Sequence, residues 1–246
     1  MSGDPITTAY WWRDVENWGD LLAPLLLERF AHVEVSWALP AFCEVASLGS
    51  ILGNWIQPDY KGVILGSGKL LEHSAVPLGA KILALRGPLT AAGVPGLFAL
   101  GDPGLLADEL LEHPPVKKHN LGIVAHWSDH SLSVDPRFTP YDPLIIHAWD
   151  SPLSVVAAIG SCRKIVSSSL HGLILADAFN IPRRFEPSAN WTKEGGHFKV
   201  RDHNAAVGVP FEIGLTQQAL SQKVDDLKSG LWDAFEQFGQ MIRARS

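Results

Sequence analysis

Three serines and a histidine at the start of a predicted helix form the pattern with the clearest chemical meaning in this sequence. The segment VSSSLHGLILADAFNIP predicts a buried strand over 164–168 and a helix over 170–180. The first N–H groups of a helix lack partners and attract anions, and Ser168 or Ser169 can cap such an end. His171 would lie beside a bound anion and can exchange a proton near neutral pH. The segment predicts an anionic substrate and a proton shuttle; the alternative is a capped helix with an incidental histidine.

Two other segments place charged side chains where chemistry could occur. Asn17 and Asp20 stand in NWGD, directly before a leucine-rich stretch that predicts a helix over 20–30. Asp20 is then either a helix cap or a base that contacts a substrate hydroxyl. Arg86 follows an apolar strand, and its planar guanidinium could bind a carboxylate or phosphate. The alternative for Arg86 is a structural ion pair.

Further polar residues follow predicted strands. The stretch Gly66-Ser67-Gly68-Lys69 lacks the spacing of a nucleotide-binding P-loop, but a ligand could approach its glycine turn closely. Asp102 lies in a turn by composition and could face a cleft. His126 stands at another strand end, and Lys199 and Arg201 could supply positive charge to an anion.

Composition and motifs exclude several classes of function. The formal net charge is -6 and the basic residues are scattered, which argues against nucleic-acid binding. The ten histidines show no metal-ligand spacing, so no metal is expected. The sequence lacks the G-x-S-x-G pattern of α/β-hydrolases, so the serines do not indicate that class of enzyme. Cys43 and Cys162 are interpreted as free thiols of a reducing compartment. With no signal peptide or membrane span in the pattern, we expect a cytoplasmic protein, and peripheral contact with a membrane is compatible with it.

Short apolar runs alternate with helical patterns, which predicts an α/β fold with largely parallel sheets. The proline-rich stretch 112–120 is the best linker candidate. Helices are expected, among other places, over 45–54 and 104–111, and a loop over 190–210. An amphipathic helix is expected over 216–243, with Gly230 as a candidate break.

Two α/β halves on either side of one linker would enclose a cleft. Ligands of open α/β sheets bind beyond the carboxyl ends of the strands. The polar clusters at 66–69, 102, 126–129 and 167–171 all follow predicted strands. This agreement favours an enzyme over a scaffold protein.

The order of the motifs resembles that of the polysaccharide pyruvyl transferases. The likeness is closest to the short ketal-pyruvate transferases of xanthan- and succinoglycan-type exopolysaccharide pathways, and it covers nearly the whole chain. The motifs that carry it are NWGD (17–20), the glycine turn (66–68), RGPLT (86–90), GDPGLL (101–106), VAHW (124–127), SSSLHGLILADAFNIP (167–182) and FKVRD (198–202).

The resemblance implies two Rossmann-like domains that face a cleft in a GT-B-like arrangement. The N-terminal domain, 1–114, would bind the acceptor, and the C-terminal domain, 115–246, would bind the donor and end in the amphipathic helix. Phosphoenolpyruvate would be the donor, used as a co-substrate without a further cofactor. A sugar, on a polysaccharide or on a lipid-linked oligosaccharide, would receive a cyclic pyruvate ketal, and phosphate would be released.

The resemblance places His171 at the donor site, and the chemistry of the implied reaction assigns roles to the other candidate residues. His171 would bind the donor and act as the acid, and Asp20 would be the base toward the acceptor. Residues expected at the donor are Arg86, Ser168, Ser169, Gly172 and Lys199. Residues expected at the acceptor or elsewhere in the cleft are Asn17, Gly66, Ser67, Asp102 and His126.

One position departs from the family pattern. Many members carry arginine immediately before the Leu-His pair, where this chain has Ser169. The anion contact must then come from Arg86, Lys199, Arg201 or the helix N-terminus. Two rival hypotheses remain: a GT-B glycosyltransferase that uses a nucleotide sugar, and a non-catalytic glycan-binding relative.

Overall fold

Two largely parallel sheets, each covered by helices, confirm the α/β class. The structure is a computed structural model that describes residues 4–129, 131–187 and 197–245. Among these residues, no helix combines the length and apolar character that a membrane span requires. Nor do they contain a group of three or more His, Cys, Asp or Glu residues placed to hold a metal ion.

The first sheet is formed by the N-terminal part of the chain. Its described strands are β1 (Ile6–Tyr10), β2 (Glu34–Trp37), β3 (Val45–Ala46), β4 (Val63–Leu65), β5 (Lys81–Leu85) and β6 (Ala99–Leu100). They lie in the order β2-β1-β3-β4-β5-β6, and all neighbours are parallel. The chain adds β2 on one side of β1 and β3 on the other. The gap between β1 and β3 is therefore a topological switch point.

The second sheet repeats this plan later in the chain. Its described strands are β7 (Gly122–Val124), β8 (Leu144–Ile146), β9 (Ile165–Ser167), β10 (Arg183–Phe185) and β11 (Thr216–Gln217). Their order is β11-β10-β9-β7-β8, and β11 is an antiparallel edge strand. Strands β8 and β9 lie on opposite sides of β7, so a second switch point lies between β7 and β9.

Six α-helices are described, together with 3₁₀ segments of which Pro103–Leu110 is the longest. In the first of them the buried residues recur at helical spacing, as at Leu22, Leu26 and Phe30, which explains why this segment forms a helix against the sheet. The helices are α1 (Leu22–Ala31), α2 (Pro88–Ala91), α3 (Pro152–Gly160), α4 (Leu170–Ala178), α5 (Phe198–Val207) and α6 (Ser221–Arg243).

Two predicted elements are wrong, and a third is present but begins later than predicted. The expected helix over 45–54 is strand β3 followed by turns, with Gly49 and Gly53 at positive φ. Within the expected loop over 190–210, residues 198–207 form α5, whereas 188–196 lie outside the described residues. The final helix begins at Ser221, because residues 216–217 form β11, and it continues through Gly230 without a break.

The two halves share one apolar core. Helix α6 follows the second sheet in sequence but packs against α1, β5 and β6 of the first. The 3₁₀ segment Pro103–Leu110 packs against both α1 and α4, and one buried cluster includes residues of both halves. The division of the chain into domains at 114/115 stays a prediction.

Candidate active site

A cleft of about 290 Å³ lies where the two switch points face each other. The loops after β1 and β3 line it from the first sheet, and the loops after β7 and β9 line it from the second. This is where open α/β sheets bind their ligands. Its lining residues are Trp12, Asn17, Asp20, Ser50, Ile51, Trp55, Leu70, His126, Trp127, Ser169, Leu170, His171 and Lys199.

His171 occupies the first turn of α4, directly after β9. Its ring packs so closely on Gly19 that a Cβ there would overlap Nδ1, and its centroid lies 6.0 Å from that of Trp18. Within the described residues, Nε2 is buried and has no hydrogen-bond partner. Burial, together with the charge of Lys199, lowers the pKa of His171 to about 3. The ring is therefore neutral at neutral pH.

Asp20 faces the same cleft from the loop before α1. Asn17 Nδ2 donates a hydrogen bond of 2.6 Å to its Oδ2. Burial raises the pKa of Asp20 to about 7, although the Lys199 charge and the Asn17 hydrogen bond oppose this shift. Asp20 therefore exchanges a proton near neutral pH, the range in which general acids and bases work best.

Lys199 brings positive charge to this pair from the first turn of α5. Its charge lowers the pKa values of His171, His126 and Asp20. The helix that carries it is fixed to both halves of the molecule. Asp202 accepts a hydrogen bond from Arg86 in the first half, and His203 contacts Asp177 in the second. The loop prediction missed this helix because its polar residues are buried in pairs.

Arg86 does not line the cleft. Its guanidinium is fully buried beneath the glycine turn and forms an ion pair of 2.9 Å with Asp202. It also donates hydrogen bonds to the Ser50 hydroxyl and the Lys69 carbonyl. The structural ion pair that the sequence analysis left open is therefore present, and Arg86 affects the cleft through its charge, which lowers the pKa of His171.

The serines before His171 have different tasks. Ser167 and Ser168 bond to the β7 end of the sheet: the Ser167 hydroxyl donates to the Val124 carbonyl at 2.9 Å, and Ser168 Oγ accepts from the His126 N–H at 2.9 Å. Ser169 lines the cleft at the N-cap position, but its hydroxyl makes no capping hydrogen bond. The predicted serine cap is thus absent from Ser169, and the first N–H groups of α4 lie at the cleft.

Several predicted site residues lie behind the cleft wall. Gly172 lets α4 approach the sheet, since a Cβ there would overlap Ser167 Oγ. Gly66 has a φ of 92° and packs on Pro103, and the buried Ser67 hydroxyl donates to the Gly49 carbonyl. Asp102 is buried and accepts a hydrogen bond of 3.0 Å from the Gly104 N–H. These residues shape the loops and do not line the cleft.

His126 completes the group of titratable residues in the cleft. It follows β7, and its Nδ1 lies 2.8 Å from Ser128 Oγ. Burial, assisted by the Lys199 charge, lowers the pKa of His126 to about 3. His126 is therefore a neutral hydrogen-bonding group at neutral pH.

Sequence reasoning missed several lining residues. Ser50 falls in the segment predicted as a helix, and Trp55 directly follows that segment, where an aromatic residue is expected in the core. Trp127 stands next to His126 in the VAHW motif, and that adjacency was the available signal. A larger groove of about 810 Å³ lies on the other side of Trp55, lined by residues such as Phe42 and Tyr60, and contains none of the predicted catalytic residues.

The cleft thus combines three chemical capabilities. Asp20 can hold or release a proton near pH 7, His171 offers a buried neutral ring nitrogen, and Lys199 with the α4 amides favours an anion. Such a site can move a proton next to a negatively charged substrate, as the first motif predicted.

Comparison with known proteins finds similarity to one protein family and to two individual proteins. The profile of the family "Polysaccharide pyruvyl transferase" matches residues 69–185. The succinoglycan biosynthesis protein ExoV of Rhizobium meliloti is 30% identical over 187 residues, which are 70% of this chain and 57% of that protein. An uncharacterised protein of Acanthamoeba polyphaga mimivirus is 27% identical over 188 residues, 70% of this chain and 64% of its own length. The match spans less than two thirds of either relative.

A crystal structure of an uncharacterised Klebsiella pneumoniae protein also shows a distant likeness. The two chains are 12% identical and superpose with a TM-score of 0.42, over 80% of this chain and 88% of the other. This likeness is too weak to support an argument about fold or function.

Proposed function

We propose that this chain is a polysaccharide pyruvyl transferase, because the profile of that family matches residues 69–185 and ExoV is 30% identical, and that it transfers a pyruvyl group from phosphoenolpyruvate to a sugar. The sugar belongs to an exopolysaccharide or to its lipid-linked oligosaccharide precursor, and the product is a cyclic pyruvate ketal. One observation carries the proposal: in the first turn of α4, the buried Nε2 of His171 has no hydrogen-bond partner among the described residues, and it lies in a cleft that also holds Asp20 and Lys199.

The donor carries a phosphate and a carboxylate, and the second half of the molecule offers groups for both. Lys199 supplies a cation, and Ser169 with the first amides of α4 supplies hydrogen-bond donors. Together they take the place of the arginine that many relatives carry before the Leu-His pair. Arg86 contributes its charge from beneath the glycine turn and holds α5, and with it Lys199, through Asp202.

The reaction needs one proton at the donor and loses two from the acceptor. Protonation of C3 makes C2 of the enol ether electrophilic, and a sugar hydroxyl attacks C2 and gives its proton to a base. The C2–O bond to phosphate then breaks, and the second hydroxyl closes the ring as its proton passes to the released phosphate. The sum is phosphoenolpyruvate plus a diol giving a ketal plus hydrogen phosphate.

We assign the acid at C3 to His171 and the base at the acceptor to Asp20. His171 is neutral at neutral pH, because burial and neighbouring positive charges lower its pKa. The negative charges of a bound donor would offset those cations and raise the pKa of His171 toward its working range. Asp20, on the first sheet, would then face the acceptor across the cleft in a GT-B-like arrangement of the two halves.

The test measures donor binding and transfer separately. Binding is followed by the shift in Tm with phosphoenolpyruvate, compared with phosphate, UDP and GDP. Transfer is followed by ³¹P NMR of phosphate release and by the ketal methyl signal, with methyl glycosides and extracted lipid-linked oligosaccharides as acceptors. We expect a shift specific to phosphoenolpyruvate and phosphate release that depends on the acceptor.

Two outcomes would contradict the proposal. Stabilisation by UDP or GDP alone would indicate a glycosyltransferase that uses a nucleotide sugar. Glycan binding without any effect of phosphoenolpyruvate on Tm or turnover would indicate a non-catalytic relative. A His171→Gln protein serves as the matched control for both assays.

A further inference from the structure

Three tryptophans form one wall of the cleft, and we propose that they are the platform on which a pyranose ring of the acceptor stacks. The residues are Trp12, Trp55 and Trp127. The proposal rests on the pyruvyl transfer proposed above, and it names the part of the cleft that recognises the acceptor.

The three rings are contiguous. The centroids of Trp12 and Trp127 lie 5.6 Å apart and those of Trp12 and Trp55 lie 6.4 Å apart. All three side chains are half-buried and line the same cleft as Asp20 and His171. The rings thus offer apolar faces to the space next to the proposed base and acid.

The wall is assembled from three separate places in the sequence. Trp12 follows β1, Trp55 follows β3, and Trp127 follows β7, so both halves contribute. Trp55 also packs against an apolar cluster of the first half, but core packing does not explain the positions of Trp12 and Trp127, which belong to none of the apolar clusters of the described residues. The Trp12 ring is also held in place, since its Nε1–H donates a hydrogen bond of 3.0 Å to Asp14.

The chemistry of the wall fits a sugar better than the donor. The face of an indole ring is electron-rich, and it attracts the weakly positive C–H groups on the face of a pyranose. Hydroxyl groups at the rim of that sugar can reach polar groups such as Asp20. Phosphoenolpyruvate is a small anion and gains little from an electron-rich face, whereas Lys199 and the α4 amides suit it.

The size of the cleft argues against a nucleotide sugar, whose base could also stack on tryptophan. About 290 Å³ is at the lower end of the range for small-molecule pockets. That space accommodates one pyranose beside a three-carbon donor more readily than a nucleoside diphosphate with its sugar.

The experiment compares sugar binding by Trp127→Ala, Trp127→Phe and the wild type, with Trp232→Phe as a matched control. Trp232 is an exposed tryptophan of α6 that packs on Phe30, away from the cleft. Saturation-transfer NMR is recorded with methyl β-glucopyranoside, methyl β-galactopyranoside, methyl α-mannopyranoside, cellobiose and lactose, without phosphoenolpyruvate.

We expect ring C–H signals with the wild type and with Trp232→Phe. The affinity should fall about tenfold in Trp127→Ala and be partly restored in Trp127→Phe. In the transfer assay the acceptor KM should rise by a similar factor, with the KM for phosphoenolpyruvate unchanged. If Trp127→Ala fails to fold, Trp12→Ala replaces it in the same comparison.

The outcomes separate this proposal from the proposed function. Equal sugar affinity or acceptor KM in all variants would overturn the platform while leaving pyruvyl transfer intact. Sugar binding that depends on Trp127, without any turnover of phosphoenolpyruvate, would support the platform and overturn the pyruvyl transfer. Absence of a signal from every sugar of the panel, or binding of UDP or GDP in their place, would overturn the platform.

Discussion

The molecule buries two sets of aspartate and histidine, and they behave in opposite ways. Asp20 and His171 lie at the cleft, and Asp177 and His203 lie between α4 and α5. In the second set, His203 Nε2 lies 2.8 Å from Asp177 Oδ2, and Arg183 forms an ion pair of 3.0 Å with the other oxygen. Although burial acts to raise the pKa of Asp177, these partners lower it, whereas burial raises the pKa of Asp20 to about 7.

The difference lies in the partners and not in burial itself. A buried carboxylate next to an arginine and a histidine keeps its charge and holds structure together. A buried carboxyl such as that of Asp20, to which the amide of Asn17 donates a hydrogen bond, resists ionisation and can exchange its proton near pH 7. The two sets share helix α4, which carries His171 in its first turn and Asp177 near its end.

The largest expected effect is a loss of activity when the cleft set, Asp20 and His171, is changed; the paired set, Asp177 and His203, should affect stability instead. His171→Gln should lower kcat by about a hundredfold to ten-thousandfold, because it removes a proton-transfer group. The Tm should change little, because Nε2 has no partner to lose within the described part of the chain. Steady-state kinetics and a thermal melt of the same preparation measure both quantities. Near-normal turnover would remove His171 from the mechanism.

The paired set should show the reverse pattern. Asp177→Asn leaves the buried Arg183 without its counter-charge, and we expect the free energy of unfolding to fall by about 3–5 kcal/mol. Urea unfolding measures this change. Asp135→Asn is the control, because its ion pair with Arg137 is at the surface and should add little to stability. Equal effects of the two substitutions would contradict the distinction drawn here.

A smaller loss of activity is expected when His171 is displaced but not removed. Gly19→Ala places a methyl group on the His171 ring, so the ring must shift. A displacement of about 1 Å can cost about a hundredfold in rate. Kinetics should therefore show a reduced kcat, while the circular dichroism spectrum stays that of the wild type. Gly230→Ala is the control, because a Cβ at Gly230 would lie 3.3 Å from its nearest neighbour, Ala99 Cβ, and would not overlap it.

The smallest expected effect is on the pH dependence of stability. Since the pKa of Asp20 is higher in the folded than in the unfolded protein, the folded state binds more protons between about pH 4 and 7. The contribution of Asp20 to stability is therefore lost as pH rises through this window. Asp20→Asn has no carboxyl to ionise, so this loss of stability does not occur in the variant. Its Tm at pH 8 should exceed that of the wild type by roughly 2–4 °C, which corresponds to about 1 kcal/mol in the free energy of unfolding. The difference in Tm should be smaller at pH 5.

For Asp177 the sign is opposite. Its pKa is lowered on folding, so its contribution is present above the unfolded pKa and is lost as pH falls. A Tm difference between Asp20→Asn and wild type that grew toward acid pH would contradict the assignment of a raised pKa to Asp20. Calorimetry at pH 5 and pH 8 makes this measurement.

The sequence was sufficient for the α/β class and for the strand–serine–histidine–helix unit, because both depend on local patterns. Helix α5 could not be predicted in this way. Its polar residues Asp202 and His203 are buried only because their partners Arg86 and Asp177 come from distant parts of the chain. Local polarity therefore indicated a loop at a place where tertiary pairing stabilises a helix.

The same limit applies to the candidate site. Residues 126 and 171 are predicted at a cleft because they follow strands, and both line it, whereas Arg86 was expected to reach the donor and is buried in an ion pair. A sequence does not show whether an arginine after a strand points into a cleft or beneath a turn. The roles of the individual residues stay predictions.

The packing of α6 has a consequence for how the protein is made. A ribosome completes the first sheet early, but the helix that covers α1, β5 and β6 is synthesised only after the second sheet. Until then the nascent first half exposes apolar surface that the finished protein buries. We expect this half to depend on chaperones during translation, and its final folding to follow the synthesis of α6.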